Sequence, residues 1–173
     1  IGKDIFDAVM PILKKKTTAA INQLASDARF KKALRSAAIA AEMKAAQNAV
    51  ASTKYLRPAI QVCKQMGFVS PLSLAVVYDS VTHGSWEYLA GRVHVSGRVE
   101  GGEMRFEKNW VTEYVRIRHR WLSDIRRLKA TNYRTKFFLD QIAIGNWDLR
   151  LPITVHGVRL TERMFPNEEK RNE

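Results

Sequence analysis

Apolar residues recur at helical spacing through most of the chain. Ile5, Phe6, Val9, Ile12 and Leu13 fall at intervals of three and four and predict a short helix within residues 1–18. Lys14-Lys15-Lys16 sits at its last turn, the end where the helix dipole favours cations, and reads as a solvated helix end. Residues 19–55 are rich in alanine, with Phe30, Leu34, Ile39, Met43 and Val50 as the larger apolar groups. This composition predicts one or two closely packed helices, with a start near Asp27 and a long run from Lys31. A helix over Tyr55–Gln65 is expected after a break near Arg57-Pro58, with Gly67 ending it.

The most fully specified element spans residues 70–84. Ser70 is placed to cap the first free N–H groups, Pro71 occupies the first helical position, and Gly84 lets the chain turn out at the far end. The residues between are mostly apolar, as in a helix enclosed on most sides. Asp79 interrupts them. It follows Ala75 by four and Val76 by three, so it shares a face with small apolar side chains, where an unpaired carboxylate is costly. Two arginines at helical spacing from aromatic residues are its candidate partners: Arg118, near Tyr114 and Trp121, and Arg134, near Phe137 and Phe138. An acid and arginines so placed describe either an ionic clamp between core helices or the floor of a cleft.

After Trp86 the alternation of Arg92–Glu100, bounded by glycines, predicts a short β-hairpin near residues 92–100. Trp110, Tyr114, Ile117, Trp121 and Ile125 form an aromatic-aliphatic core stripe on a helix over Phe106–Leu128. Arg116, Arg118, His119, Arg120, Arg126, Arg127 and Lys129 crowd around that stripe, most of them at the solvated surface. Another helix is expected over Tyr133–Ile144, burying Phe137, Phe138 and Ile142 and stopping at Gly145-Asn146, with a short extended pair around Val155–Leu160. Residues 161–173 form a polar end expected to fray. The fold class is therefore mainly α, and the length suits a single domain.

Charge changes the picture. Lys and Arg number 29 against 17 Asp and Glu, a formal net charge of +12 that favours nucleic acid, anionic lipid or an acidic polymer. The arginine-rich helix keeps nucleic-acid binding among the readings, in third place because no recognised nucleic-acid motif accompanies it. No run of eighteen apolar residues is present, so a transmembrane segment is not expected. Ile1 stands where an initiator methionine would be, consistent with processing or a fragment, so a missing leader says little about export. Cys63 reads as a small core thiol, and His83 and His94 have no metal-ligand spacing, so neither a metal nor a cofactor is expected. Gly101-Gly102 lacks the following lysine and hydroxyl of a phosphate loop.

Residues 70–84, the helix around Tyr114–Trp121, and Leu139–Leu149 resemble family 46 glycoside hydrolases, the chitosanases, as do Met43–Gln47 and Tyr55–Ala59 upstream. The resemblance covers roughly Ala33 to Leu160 and implies a lysozyme-like, chitosanase-like helical fold, of which this chain is the whole helical domain or the major lobe. It implies hydrolysis of β-1,4 linkages in chitosan or a bacterial cell-wall glycan such as peptidoglycan, with inversion, by a protein that is secreted or directed to the wall. Asp79, Arg118 and Arg134 then match the family's supporting network around a catalytic glutamate. Tyr78, His83 and Asn146 become cleft candidates, His83-Gly84 matching a family pair near the cleft. No counterpart of the segment bearing the two catalytic carboxylates is visible, so the general acid and base are expected from a missing N-terminal lobe, from another chain, or from a rearranged site using Glu42, Glu87, Glu100 or Glu103. Asp4 and Asp7 lie too close together on one helix for inverting hydrolysis, which needs opposed carboxyls roughly 6.5–9.5 Å apart. A non-catalytic glycan-binding or structural module is the alternative.

Overall fold

The computed structural model describes residues 2–95 and 102–165, the side chains of 102–104 excepted. The described chain falls into two compact units, residues 1–53 and 54–173.

The first unit is helical throughout: α1 (Lys3–Lys14), α2 (Thr18–Ser26), α3 (Ala28–Ala37) and α4 (Ala41–Ala51). The expected first helix stops at Lys14, and Lys16 at φ 51° turns the chain toward α2. The Thr17 hydroxyl caps α2 by accepting from the Ala20 N–H, and the Asp27 carboxylate caps α3 by accepting from Arg29 and Phe30 at 2.8 and 3.0 Å. Those hydrogen bonds, led by the one from Phe30, hold the Asp27 carboxyl below its ordinary value. The start at Asp27 is as expected, but in place of one or two helices with a long run from Lys31 there are three, because Asp27 ends α2 as well as capping α3 and the chain breaks again after Ala37, resuming at Ala41 with no capping side chain. Val9, Ala20 and Leu24 are the buried apolar residues of this unit, while Phe6, Ile21, Ile39 and Val50 are exposed.

The expected break at Arg57-Pro58 is instead a π-helical turn, Ser52–Leu56, that runs into α5 (Arg57–Met66), the first α-helix of the second unit. Pro58 lies in the first turn of α5, where a missing N–H removes little. Then follow α6 (Pro71–His83), α7 (Trp86–Ala90), α8 (Gly102–Asp124) and α9 (Tyr133–Ala143). Residues 93–95 are not strand, and the rest of the hairpin expected near 92–100 lies outside the described residues. The described hairpin is the later one. Strand β1 (Ile153–Val155) pairs antiparallel with β2 (Val158–Leu160), Val155 opposite Val158. Its two-residue turn, His156-Gly157, has φ of 48° and 82°, the doubly left-handed turn that matches strand twist.

The core of this unit is written on α6 and α8. Leu72, Val76 and Val77 from α6 meet Val111, Tyr114 and Val115 from α8, with Ala59, Cys63, Phe68, Leu89 and Phe138 around them. Trp110 and Tyr114 stack at 5.4 Å, and Trp86 tilts against both, which turns the predicted stripe into the centre of the unit. Helix α8 starts before and ends before its predicted bounds; past Asp124 the Ile125 carbonyl accepts from both Leu128 and Lys129 in a tight turn.

Both ends of α6 are fastened as the sequence suggests. The Ser70 hydroxyl accepts from the Ser73 N–H at 3.2 Å, and Leu72 N–H donates to the Trp147 carbonyl at 2.9 Å. At the other end Gly84, at φ 75°, lets Ser85 N–H reach back to the Ser80 carbonyl. A methyl group on Gly84 would meet nothing within 4 Å, so Gly84→Ala is expected to cost about 1–2 kcal/mol through the backbone alone. Leu72→Ala, by contrast, opens a void in the core at about 3 kcal/mol. Urea unfolding of both variants separates the two, since only the cavity in Leu72→Ala is partly restored by a Met at that position.

Candidate functional site

Asp79 is presented from the third turn of α6 and is only 15% exposed. Its Oδ2 lies 2.6 Å from Nη1 of Arg118 on α8, and its Oδ1 accepts from Nε of Arg134 on α9 at 2.8 Å. The contact with Arg118 is a charge contact rather than an aligned hydrogen bond, since neither atom meets hydrogen-bond geometry. One carboxylate thereby joins three helices, and the two partners differ in setting. Arg134 is 31% exposed, whereas Arg118 has no exposed side-chain surface.

Arg118 is held from a second side. Its Nε–H donates to Ser85 Oγ at 3.1 Å, in the turn that closes α6. Its Nη2 is buried without a hydrogen-bond partner among the described residues. Two guanidinium groups face one carboxylate, so the cluster carries a surplus positive charge at its buried end, where a further acceptor would be strongly favoured.

His83 follows Asp79 by one turn on the same face. Its ring meets Trp121 edge-on at 6.1 Å, and its Nδ1 is buried with no partner among the described residues. Burial foremost, then the Arg118 and Arg134 charges, hold its pKa below the ordinary value, with Asp79 opposing. Tyr78 is half-buried against the core. Asn146 spends its amide locally: Nδ2 donates to Gln141 Oε1 and to the Arg150 carbonyl, and Oδ1 accepts from Arg150 N–H at 2.8 Å. That network shapes the turn after α9 and includes no contact with Asp79.

The candidate acids are scattered. Asp4, Asp7 and Glu42 are exposed in the first unit, and Glu87 is exposed on α7. Glu100 and the side chain of Glu103 lie outside the described residues. Arg116 and Arg120 are 62% and 70% exposed and share Glu113 at 3.9 and 3.7 Å, a solvated surface group. His119 instead stitches α8 to α9: its Nδ1 is 2.8 Å from Thr135 Oγ, whose own proton goes to the Asn132 carbonyl, so the histidine nitrogen is the donor. Among the described residues no group of acids, histidines and cysteine could hold a metal ion, and no helix is long and apolar enough to cross a membrane. Cys63 is buried; burial, then the charge of Glu107, push its thiol up to about 11, which suits a packing role.

Sequence reasoning passed over Glu107 and Ser85. Glu107 is fully buried and accepts from the Val69 and Ser70 N–H groups at 3.1 and 2.9 Å and from the Ser70 hydroxyl at 2.6 Å. The signal was present: Glu107, Trp110, Tyr114, Arg118 and Trp121 share one stripe of α8, so a carboxylate at 107 belongs with the core.

Residues 4–153 match the sequence profile described as glycosyl hydrolase family 46. The chain belongs to glycosyl hydrolase family 46. A solved structure of a family 46 chitosanase from Gynuella sunshinyii, in complex with chitotetraose, is similar to it with a TM-score of 0.57 and 20% identity. The match covers 68% of this chain and 55% of that one, so the chain spans about half the length of that chitosanase. At this identity the likeness shows the fold, the lysozyme-like helical architecture expected of family 46. No curated protein matches the chain.

Arg118→Met is expected to destabilise the fold by about 3 kcal/mol, because it leaves buried polar groups unpaired. Arg134→Met, at a partly exposed position, should cost about 1 kcal/mol or less. Acidification should also weaken the fold. The unfolded chain protonates His83 near 6.5 and Glu107 near 4.5, whereas both groups are held lower when folded. Stability is then complete above those values and declines as pH falls through each. Urea midpoints followed from neutral pH to about pH 4 check this; His83→Gln should flatten the upper part of the profile.

Proposed function

We propose that the chain is the supporting part of a glycoside hydrolase that cleaves β-1,4 linkages in chitosan or a bacterial cell-wall glycan, its general acid and base coming from outside this chain. The observation that carries this reading is Asp79 held between Arg118 and Arg134, with Arg118 Nη2 left unpartnered in a buried position. A buried guanidinium with one nitrogen to spare is suited to a second carboxylate, and the family resemblance makes that the glutamate that protonates the leaving oxygen. In such a reaction the acid donates its proton to the glycosidic oxygen while an opposed carboxylate takes one from the attacking water. Asp79 balances the arginines, and the arginines orient the acid.

The two acids enclosed in the second unit, Asp79 and Glu107, support an external acid–base pair. Both Asp79 oxygens face arginines, and the Glu107 oxygens are taken by Val69 and Ser70, so neither is free to approach a sugar. The complex of the Gynuella chitosanase with chitotetraose favours a glucosamine polymer, while the net charge of +12 favours an acidic wall glycan. A non-catalytic glycan-binding module is the second reading, favoured by the same commitment of Asp79 and Glu107.

The test is reducing-end release from chitosan and from peptidoglycan, beside direct binding of oligosaccharides from each. The 173-residue chain alone is expected to bind without releasing ends, and release to appear in the full gene product. There Arg118→Lys should lower kcat by roughly tenfold or more, a barrier increase of about 1.4 kcal/mol, with KM little changed. Release by the isolated chain would place the acid and base within it; no release in either form would leave the binding-module reading.

A further inference from the structure

Glu107 and Arg118 stand eleven positions apart on α8, and they meet opposite ends of α6. Glu107 receives the Val69 and Ser70 N–H groups and the Ser70 hydroxyl just ahead of α6. Arg118 reaches Asp79 in the third turn and Ser85 in the closing turn. The two helices therefore run in the same direction. Eleven residues of helix rise about 16 Å, close to the roughly 14 Å from Ser70 to Asp79 along α6.

Parallel neighbours place their dipoles side by side, which is unfavourable, and the charges on α8 offset it. A carboxylate sits at the positive start of α6 and a guanidinium near its negative end. Burial pushes the Glu107 carboxyl up, but the hydrogen bonds from the Ser70 hydroxyl and from the Ser70 and Val69 N–H groups outweigh it and hold the group below its ordinary value, so it is charged at neutral pH. Because the Ser70 proton goes to Glu107, the 2.8 Å contact between the Ser70 and Ser73 hydroxyls has Ser73 as donor, and the cap is oriented from the α8 side. A slip of α6 by one residue along α8 would break these bonds and move Asp79 off Arg118.

We infer that Glu107 is a positioning residue for the Asp79 site: it anchors the start of α6 on α8 so that Asp79 and Ser85 arrive at the buried Arg118 guanidinium. The geometric part stands on these contacts alone, and only its effect on turnover rests on the hydrolase reading.

The test compares Glu107→Gln, which keeps the shape and removes the charge and one acceptor, with Ala59→Gly on α5, a helix that carries none of these residues. Hydrogen exchange of the Arg118 Nε–H, followed by NMR in the complete chain, reports the hold of Ser85 and Asp79 directly. Glu107→Gln is expected to speed that exchange at least tenfold beyond Ala59→Gly at conditions of equal fraction folded, with Glu107→Asp in between. Equal exchange in the two variants would reduce Glu107 to a general stabiliser and overturn the inference. If Glu107→Gln does not fold, Ser70→Ala, which deletes one of the three bonds, takes its place: faster exchange than in Ala59→Gly supports the inference, and equal exchange overturns it. Turnover of the full gene product is measured in parallel, where kcat is expected to fall with KM held. The exchange comparison alone decides the positioning role, while absence of turnover in every form, wild type included, counts against the hydrolase reading.

Discussion

A guanidinium group with no exposed surface has to be surrounded by acceptors, and much of the second unit is arranged to supply them to Arg118. Asp79 provides the opposite charge and the Ser85 hydroxyl provides a neutral acceptor. Both come from α6 and its closing turn, so the position of one helix decides whether the buried cation is tolerated. Removing a charge from water costs several kcal/mol, and a cation left unpaired would not persist inside. The energetic demand of Arg118 therefore selects one placement of α6 against α8.

That demand explains features which look separate along the chain. The left-handed Gly84 brings Ser85 back beneath the helix end, where its hydroxyl faces α8. Arg134 reaches the other oxygen of Asp79 from α9, and the His119–Thr135 hydrogen bond, one residue along each helix from Arg118 and Arg134, ties α8 to α9. Tyr114, fully buried one turn before Arg118 and stacked on Trp110, excludes water on that side and so strengthens the electrostatics beside it. An acid shared by two arginines, with Arg118 Nη2 left unpartnered, is the arrangement on which the proposed supporting role in a family 46 hydrolase rests.

Asp79 with its two arginines was legible in the sequence because an acid on an apolar helical face is a physical contradiction that only a buried cation resolves. Arg118 and Arg134 each have two large aromatic residues at helical spacing, Tyr114 and Trp121 for the one and Phe137 and Phe138 for the other. Asn146 was legible as a helix stop; its amide contacts within the following turn depend on the path of residues 147–150, which no local preference sets. The break between α3 and α4 was invisible, for Ala38–Ala40 contains no glycine, proline or capping side chain.

Local chemistry by itself determined the ends of α6, the stop at Gly145, the cap at Asp27 and the apolar stripe of α8, because each depends on neighbours within about one helical turn. Tertiary structure alone decided that α6 and α8 run parallel, that Glu107 receives the start of α6, and that the Arg118 guanidinium has one nitrogen to spare. Those outcomes depend on which groups meet across dozens of residues. A glutamate on a core stripe announces that it needs donors, but only the packed helices reveal whose donors they are.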